Sequence, residues 1–219
     1  MQRTIVIGDV HACIEELEEL LQKLQLKKDD KLIFVGDLIN KGPHSKSVLE
    51  KVEALNAIVL LGNHELGFLK YLESDRTPRH TQFEEVVSDL GSDLPKWRAW
   101  MKGLPTYYET DEVLVVHAGI IPGVAVKDIP PAIITRVRTW DGEGIDMNND
   151  KDPAWYDYYS ADKLIVYGHW AHQGLLIREN TIGLDSGCVW GGALSAVILP
   201  ERRIVQVISK RAYRDFNLE

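Results

Sequence analysis

Five short apolar runs of the 219-residue chain end beside a glycine and a residue able to bind a metal ion. They read Gly8-Asp9-Val10-His11, Gly36-Asp37, Gly62-Asn63-His64-Glu65, Val116-His117-Ala118-Gly119 and Gly168-His169. Together they supply two aspartates, one asparagine and four histidines. Oxygen and imidazole donors without thiolate suit Mn, Fe, Co, Ni or Zn better than Cu(I) or an iron–sulfur cluster. The set exceeds the three protein ligands of a catalytic zinc. It suits a pair of divalent ions about 3.5–4 Å apart that share a carboxylate and drive hydrolysis. A lone histidine is more often a hydrogen-bonded structural residue, but chance would scatter such residues rather than gather them at strand ends.

The elements that position these residues follow from periodicity. Thr4–Ile7, Lys31–Val35 and Ala57–Leu61 are strand-like runs. Between the first two, Ile14, Leu17, Leu20, Leu21 and Leu24 recur at helical spacing. Val48, Leu49, Val52 and Leu55 mark a second helix, entered through Gly42-Pro43. A β-α-β-α-β rhythm implies a parallel sheet with right-handed crossovers. The carboxyl ends of parallel strands form the ligand-binding edge of such a sheet, so Asp9, His11, Asp37, Asn63 and His64 should share one rim. Residues 64–108 read as mostly helical. The later strands are Val113–Val116, Lys163–Tyr167, Leu175–Arg178, Ala193–Leu199 and Ile204–Ile208, the last two as a hairpin. Asp141–Asp162 reads as a long acidic loop, and residues 1–219 as one domain without repeats.

Composition narrows the function further. The chain has 25 Lys+Arg against 33 Asp+Glu, a net charge of −8, which argues against a general nucleic-acid coating protein. Local phosphate recognition stays open, because bound metal inverts the local sign. Cys13 and Cys188 make neither a disulfide framework nor a cysteine zinc site and read as reduced thiols of a cytoplasmic protein. The first residues lack the apolar core of a signal peptide, and no run approaches the ~18 apolar residues of a membrane span.

Taken in order, the motifs resemble the phosphoprotein-phosphatase type of metallophosphoesterase over nearly the whole chain. The resemblance implies an α/β fold, a four-layer α/β/β/α sandwich, around a two-metal centre. Within that type, Gly168-His169-Trp170, the tract Leu184–Gly192 and Ile134-Thr135-Arg136-Val137-Arg138 resemble the symmetrical diadenosine tetraphosphatases. Two positions depart from the pattern. Ala12 stands where the first motif usually has glycine, and Asn40-Lys41 where protein phosphatases have Asp-Arg.

Residue by residue, the resemblance implies that Asp9, His11 and Asp37 hold one ion. Asp37, Asn63, His117 and His169 would hold the other. Manganese is the expected metal, with Co, Fe, Ni, Mg or Zn as substitutes. An ionised water between the ions would attack phosphorus in line. His64 would protonate the leaving oxygen. Lys41 and one or both of Arg136 and Arg138 would neutralise phosphate oxygens; the two arginines share a face only if their tract is extended. The substrate class is a dinucleoside polyphosphate or another phosphorylated compound. The rival readings are a Ser/Thr or Tyr protein phosphatase, removal of a nucleotide cap from an RNA 5′ end, and a non-catalytic nucleotide binder. Asn40 bears on the choice. It can orient His64 but lends no charge, which suits a leaving phosphate of pKa about 6 better than a basic alkoxide.

Other features have simpler readings. Trp97, Trp100, Met101 and Leu104 sit at i, i+3, i+4 and i+7, the spacing of a helix packed on the core. Glu15–Glu19 reads as a solvated helix face. Trp170 and Trp190 flank metal motifs and could touch a base or shape the pocket. The segment with Trp155, Tyr156, Tyr158 and Tyr159 reads equally as a lid or a surface segment. Asp146, Asn148, Asp150, Asp152 and Asp157 fall at calcium-loop spacing, but Lys151 stands at the glycine position, which argues against calcium.

Overall fold

A computed structural model describes residues 3–74, 81–144, 149 and 151–215. The first half runs β1 (Thr4–Ile7), α1 (Ile14–Leu24), β2 (Lys31–Phe34), α2 (Ser45–Ala54), β3 (Ile58–Val59), α3 (Asn63–Glu73), α4 (Thr81–Leu90) and α5 (Leu94–Lys102). The second half runs β4 (Tyr107–Glu109), β5 (Val113–Val116), α6 (Pro131–Ile134), β6 (Leu164–Tyr167), β7 (Leu176–Ile177), β8 (Thr181–Gly183), β9 (Asp185–Ser186), β10 (Ala193–Leu199) and β11 (Arg203–Ile208).

Among the described residues these strands form two mixed sheets. The first has the order β11-β10-β1-β2-β3, with β9 also paired to β10; the second has the order β4-β5-β6-β8-β7. β1, β2 and β3 are parallel, with Ile7 opposite Phe34 and Phe34 opposite Val59, so their carboxyl ends stop side by side. β5, β6 and β8 are likewise parallel, with Val115 opposite Val166 and Tyr167 opposite Gly183. The loops after both triplets therefore reach the same kind of edge.

The sheets face each other through β-branched and leucine side chains. Val6, Ile33, Val35 and Leu60 of the first pack with Val115, Val166, Ile182 and Leu184 of the second. Helices α1 to α5 cover the outer face of the first sheet. Leu17 and Leu20 of α1, Val48 of α2, Phe68 of α3 and Trp97 of α5 are buried there. Burying one such side chain is worth roughly 1.5–3 kcal/mol. Trp97 and Met101 are thus core residues, as their spacing predicts. The outer face of the second sheet has a thinner cover of α6 and irregular chain, closed by Ile134, Trp140 and Trp155. The expected α/β/β/α layering holds, with a slight fourth layer.

Two local expectations need correction. Glu16 is not solvated. Residues 209–213 fold back over α1, and its carboxylate accepts hydrogen bonds from Ser209 Oγ, Lys210 N–H and Tyr213 Oη. The acidic segment is not all loop: Thr139 bridges Ala154, and a 3-10 turn at Trp155–Tyr158 buries Trp155 and Tyr156 in the second core. Residues 64–108 are mostly helical among those described, as expected, and lead into the strand β4. Among the described residues no helix is long and apolar enough to cross a membrane.

Candidate metal centre

Asp9, His11, Asp37, Asn63 and His64 follow the carboxyl ends of β1, β2 and β3, and His117 and His169 follow β5 and β6. The turns that carry them are tight. Among the described residues nine non-glycine positions have positive φ, and six of them belong here: His11, Ala12, Asp37, Asn40, Lys41 and His169. Ala12, at φ 60°, holds the left-handed geometry that glycine would adopt without steric cost. Strain of this sort persists where surrounding structure over-determines it. Close approach explains two glycines. A Cβ on Gly62 would strike Asp37, and one on Gly168 would strike the Asp9 carboxylate.

Glu65, in the first turn of α3, braces the loop. Its carboxylate accepts N–H groups from Asp37 at 2.8 Å, Leu38 at 2.8 Å, Ile39 at 3.3 Å and Gly62 at 3.1 Å. Burial and the neighbouring Asp37 push its carboxyl up to about 7. The sequence motif includes Glu65 without revealing this role, because its partners are main-chain groups.

Three imidazoles are oriented in one way. His117 Nδ1 lies 2.9 Å from the Val35 carbonyl, His11 Nδ1 3.3 Å from that of Ile39, and His169 Nε2 3.2 Å from that of Arg136. A carbonyl can only accept, so each of these nitrogens carries the N–H, and the opposite nitrogen is the one whose lone pair can serve a cation. Those opposite nitrogens converge on oxygen. His117 Nε2 is 2.9 Å from Asn63 Oδ1 and 3.4 Å from Asp37 Oδ2. His169 Nδ1 is 2.8 Å from Asn63 Oδ1, and His11 Nε2 is 3.7 Å from Asp37 Oδ2. Imidazole nitrogens and oxygens gathered this closely make a donor set suited to a positive charge between them.

The electrostatics agree. Burial lowers His11, with help from Lys41, and lowers His169, with help from His117, so both rings are neutral. Burial would lower His117 too, but Asp37 and Asp9 outweigh it and raise it to about 9. Burial would raise Asp37, yet the charge of His117 above all, with a hydrogen bond from the same ring, holds it well below the usual carboxylate range. Burial and then Asp185 push Asp9 well above that range, although the His169 N–H lies 3.1 Å from both its oxygens. A divalent cation answers this donor set. Asp37, His117 and His169 form one triad and Asp37, His11 and His64 another, with ligand atoms within 4.8 Å of one another in each. Asp37 belongs to both.

The rim is built differently. Asn40 Nδ2 lies 2.9 Å from His64 Nδ1, while Asn40 Oδ1 accepts the Lys41 N–H at 2.8 Å. Lys41 Nζ sits 4.6 Å from the centre of the Trp190 ring. A pocket of about 210 Å³ opens here, lined among others by Asp37, Lys41, His64, Arg138, Asp185 and Trp190. Asp185 is a site residue that the strand-end reading missed; it follows β8 through Leu184 rather than directly through glycine. Burial raises it to about 6.

The two arginines part company. Their tract is the end of α6 and a turn, not a strand, so they do not share a face. Arg138 lines the pocket, whereas Arg136 lines an adjoining groove and gives the pocket only its carbonyl. Trp170 packs on Tyr156 at 6.3 Å, away from the pocket lining. Asp146, Asn148 and Asp150 of the calcium-like spacing lie outside the described residues.

Comparison with known proteins agrees with this geometry. The family of calcineurin-like phosphoesterases matches residues 2–209. A symmetrical bis(5'-nucleosyl)-tetraphosphatase from Janthinobacterium sp. (strain Marseille) is 30% identical, with 93% of this chain and 95% of that one covered. Its namesake from Aromatoleum aromaticum is also 30% identical, over 92% and 95%. A crystal structure of a candidate diadenosine tetraphosphatase superposes with a TM-score of 0.83 at 31% identity, covering 95% of this chain and 94% of the other.

Proposed function

The chain belongs to the calcineurin-like phosphoesterase family and is a metal-dependent phosphoester hydrolase; from that premise we propose that it cuts dinucleoside polyphosphates, splitting diadenosine tetraphosphate symmetrically into two ADP. The names of the relatives support this substrate class. The observation that carries it is the polarity of the Asn40–His64 hydrogen bond.

The Lys41 N–H fixes the Asn40 amide with oxygen toward Lys41, because the flipped amide would set two donors 2.8 Å apart. Nδ2 then donates to His64 Nδ1, which must be a lone pair. His64 is therefore a neutral ring with its proton on Nε2. It gives a hydrogen bond to a leaving oxygen rather than a whole proton from an imidazolium. That suffices for a nucleoside diphosphate, whose terminal phosphate has a pKa of about 6. It serves a serine or threonine alkoxide poorly.

In this reading Asp9, His11 and Asp37 hold one divalent ion and Asp37, Asn63, His117 and His169 the other. When bound, such ions supply Lewis-acid activation of water and offset phosphate charge. Lys41 contributes a point charge beside the reacting phosphate, and Arg138 a planar donor pair. Glu65 holds the turn that fixes Asp37.

The test is product analysis of Mn²⁺-loaded enzyme on diadenosine tetraphosphate, a capped RNA and a phosphopeptide. ADP should be the main product of the first. ATP plus AMP would reject symmetrical cleavage. Turnover confined to the phosphopeptide or the capped RNA would replace this reading with a rival.

A further inference from the structure

The pocket of about 210 Å³ is smaller than the roughly 300–1,000 Å³ that drug-sized ligands fill, so it holds the reacting phosphates and not a whole dinucleotide. The nucleosides must lie outside it. A second, open groove of about 490 Å³ shares Asn63 and His64 with the pocket and continues away from it.

Its wall is one face of α3. Asn63, Gly67, Lys70 and Ser74 recur at spacings of three and four along that helix and its cap, with Tyr71 beside them. Phe83 of α4 and Arg136 complete the lining. Gly67 lets the Phe83 ring pack down onto α3: a Cβ there would come within 3.1 Å of Phe83 Cζ. Two of the described lining residues are cations and none is a carboxylate, in a chain of net charge −8. The groove thus offers an aromatic edge and local positive charge.

We propose that this groove is the subsite for the leaving nucleotide. The inference rests on the dinucleoside polyphosphate reading for its substrate and on His64 for its direction. A residue that donates a hydrogen bond to the leaving oxygen faces the half of the substrate that departs, and the groove begins at that residue. Arg136 and Arg138 then address different halves. Arg138 meets the phosphate under attack, and Arg136 meets the phosphates of the departing nucleoside diphosphate. Phe83 and the α3 face at Gly67 receive its base and ribose. This division accounts for an arginine pair whose side chains point into two adjoining cavities.

The test uses inhibition of p-nitrophenyl phosphate hydrolysis by the Mn²⁺-loaded enzyme, with ADP and inorganic phosphate as competing probes. ADP should inhibit more strongly than phosphate. Arg136→Ala should raise the ADP inhibition constant about ten-fold relative to that of phosphate, the scale of one charge-assisted hydrogen bond. Gly67→Leu, which displaces the Phe83 ring from α3 and disturbs the groove wall, should act in the same direction. Trp190→Ala, at a residue that lines the pocket and not the groove, should shift the ratio less. Equal inhibition by ADP and phosphate would overturn the proposal. So would an unchanged ratio in Arg136→Ala, or a ratio that responds only to Trp190→Ala. If diadenosine tetraphosphate is not cut but the ADP ratio shifts as described, the groove stands as a nucleotide site and the symmetrical-cleavage reading falls. If the dinucleotide is cut and the ratio does not move, the groove proposal alone falls.

Discussion

At the metal centre, His11, His117 and His169 each give a ring N–H to a main-chain carbonyl and turn the other nitrogen inward. On the rim, His64 receives an N–H from a side-chain amide and turns its own N–H toward the pocket. The residue type is the same, and its partner decides whether it binds a cation or donates a proton. Carbonyl partners belong to the backbone and survive side-chain substitution, so the centre is fixed by the fold. The rim depends on one amide, so a single replacement can invert it. Orientation of ligand imidazoles through the nitrogen that does not bind metal is a general device of metal sites.

Asp37→Asn should have the largest effect on this contrast. It keeps the shape of the centre but removes the charge that both triads share. Turnover should fall by more than about 100-fold, beyond the 10–100-fold typical of residues that only support a ligand. Near-normal rates with metal bound would remove Asp37 from the shared position. The next effect is on metal affinity. His117 is raised to about 9, so at pH 7 the centre retains a proton that a cation must displace. Affinity for Mn²⁺ should therefore rise between pH 7 and 9, by up to about ten-fold per pH unit for each proton released. Calorimetry in buffers of different ionisation enthalpy reads that proton directly, and a pH-independent affinity would contradict a proton held on His117.

The smallest effect should come from Asn40→Asp. A carboxylate there accepts from Nδ1, reverses the polarity of the pair and raises the pKa of His64. The limb of the pH–rate profile that requires protonated His64 should extend to higher pH. Phenyl phosphate, a poor leaving group, should gain less than about ten-fold, a fraction of a full general acid's contribution. p-Nitrophenyl phosphate and the dinucleotide should gain less still. Identical profiles for the two proteins would separate Asn40 from the chemistry.

Much of this was legible in the residues. The β-α-β-α-β rhythm showed because each helix carries an apolar stripe and each strand a β-branched run, and those alternations dictate a shared rim. Strands β4, β8 and β9 were not legible. They span three, three and two residues and exist through pairing with neighbours, not through a hydrophobic run of their own. Glu16 resembled its exposed neighbours because its partners lie some 190 positions away in the chain. The Asn40 side chain was visible as a departure, but its orientation hangs on a backbone N–H that no composition rule reports. Arg136 and Arg138 looked like a pair because alternate spacing means one thing in a strand and another at the end of a helix.

Asp37 comes from the first sheet, under five helices, and His117 and His169 from the second, under α6 and short turns. An ion bound by all three is a cross-link between a well-covered half and a lightly covered one. Opening of the second sheet would break two of its bonds, so binding stabilises the closed form of the weaker half by mass action. Amide exchange in β5 and β6 should slow on metal loading more than exchange in β1 and β2. The catalytic ion would then serve as a fastener, and loss of metal would loosen one face of the sandwich before the other.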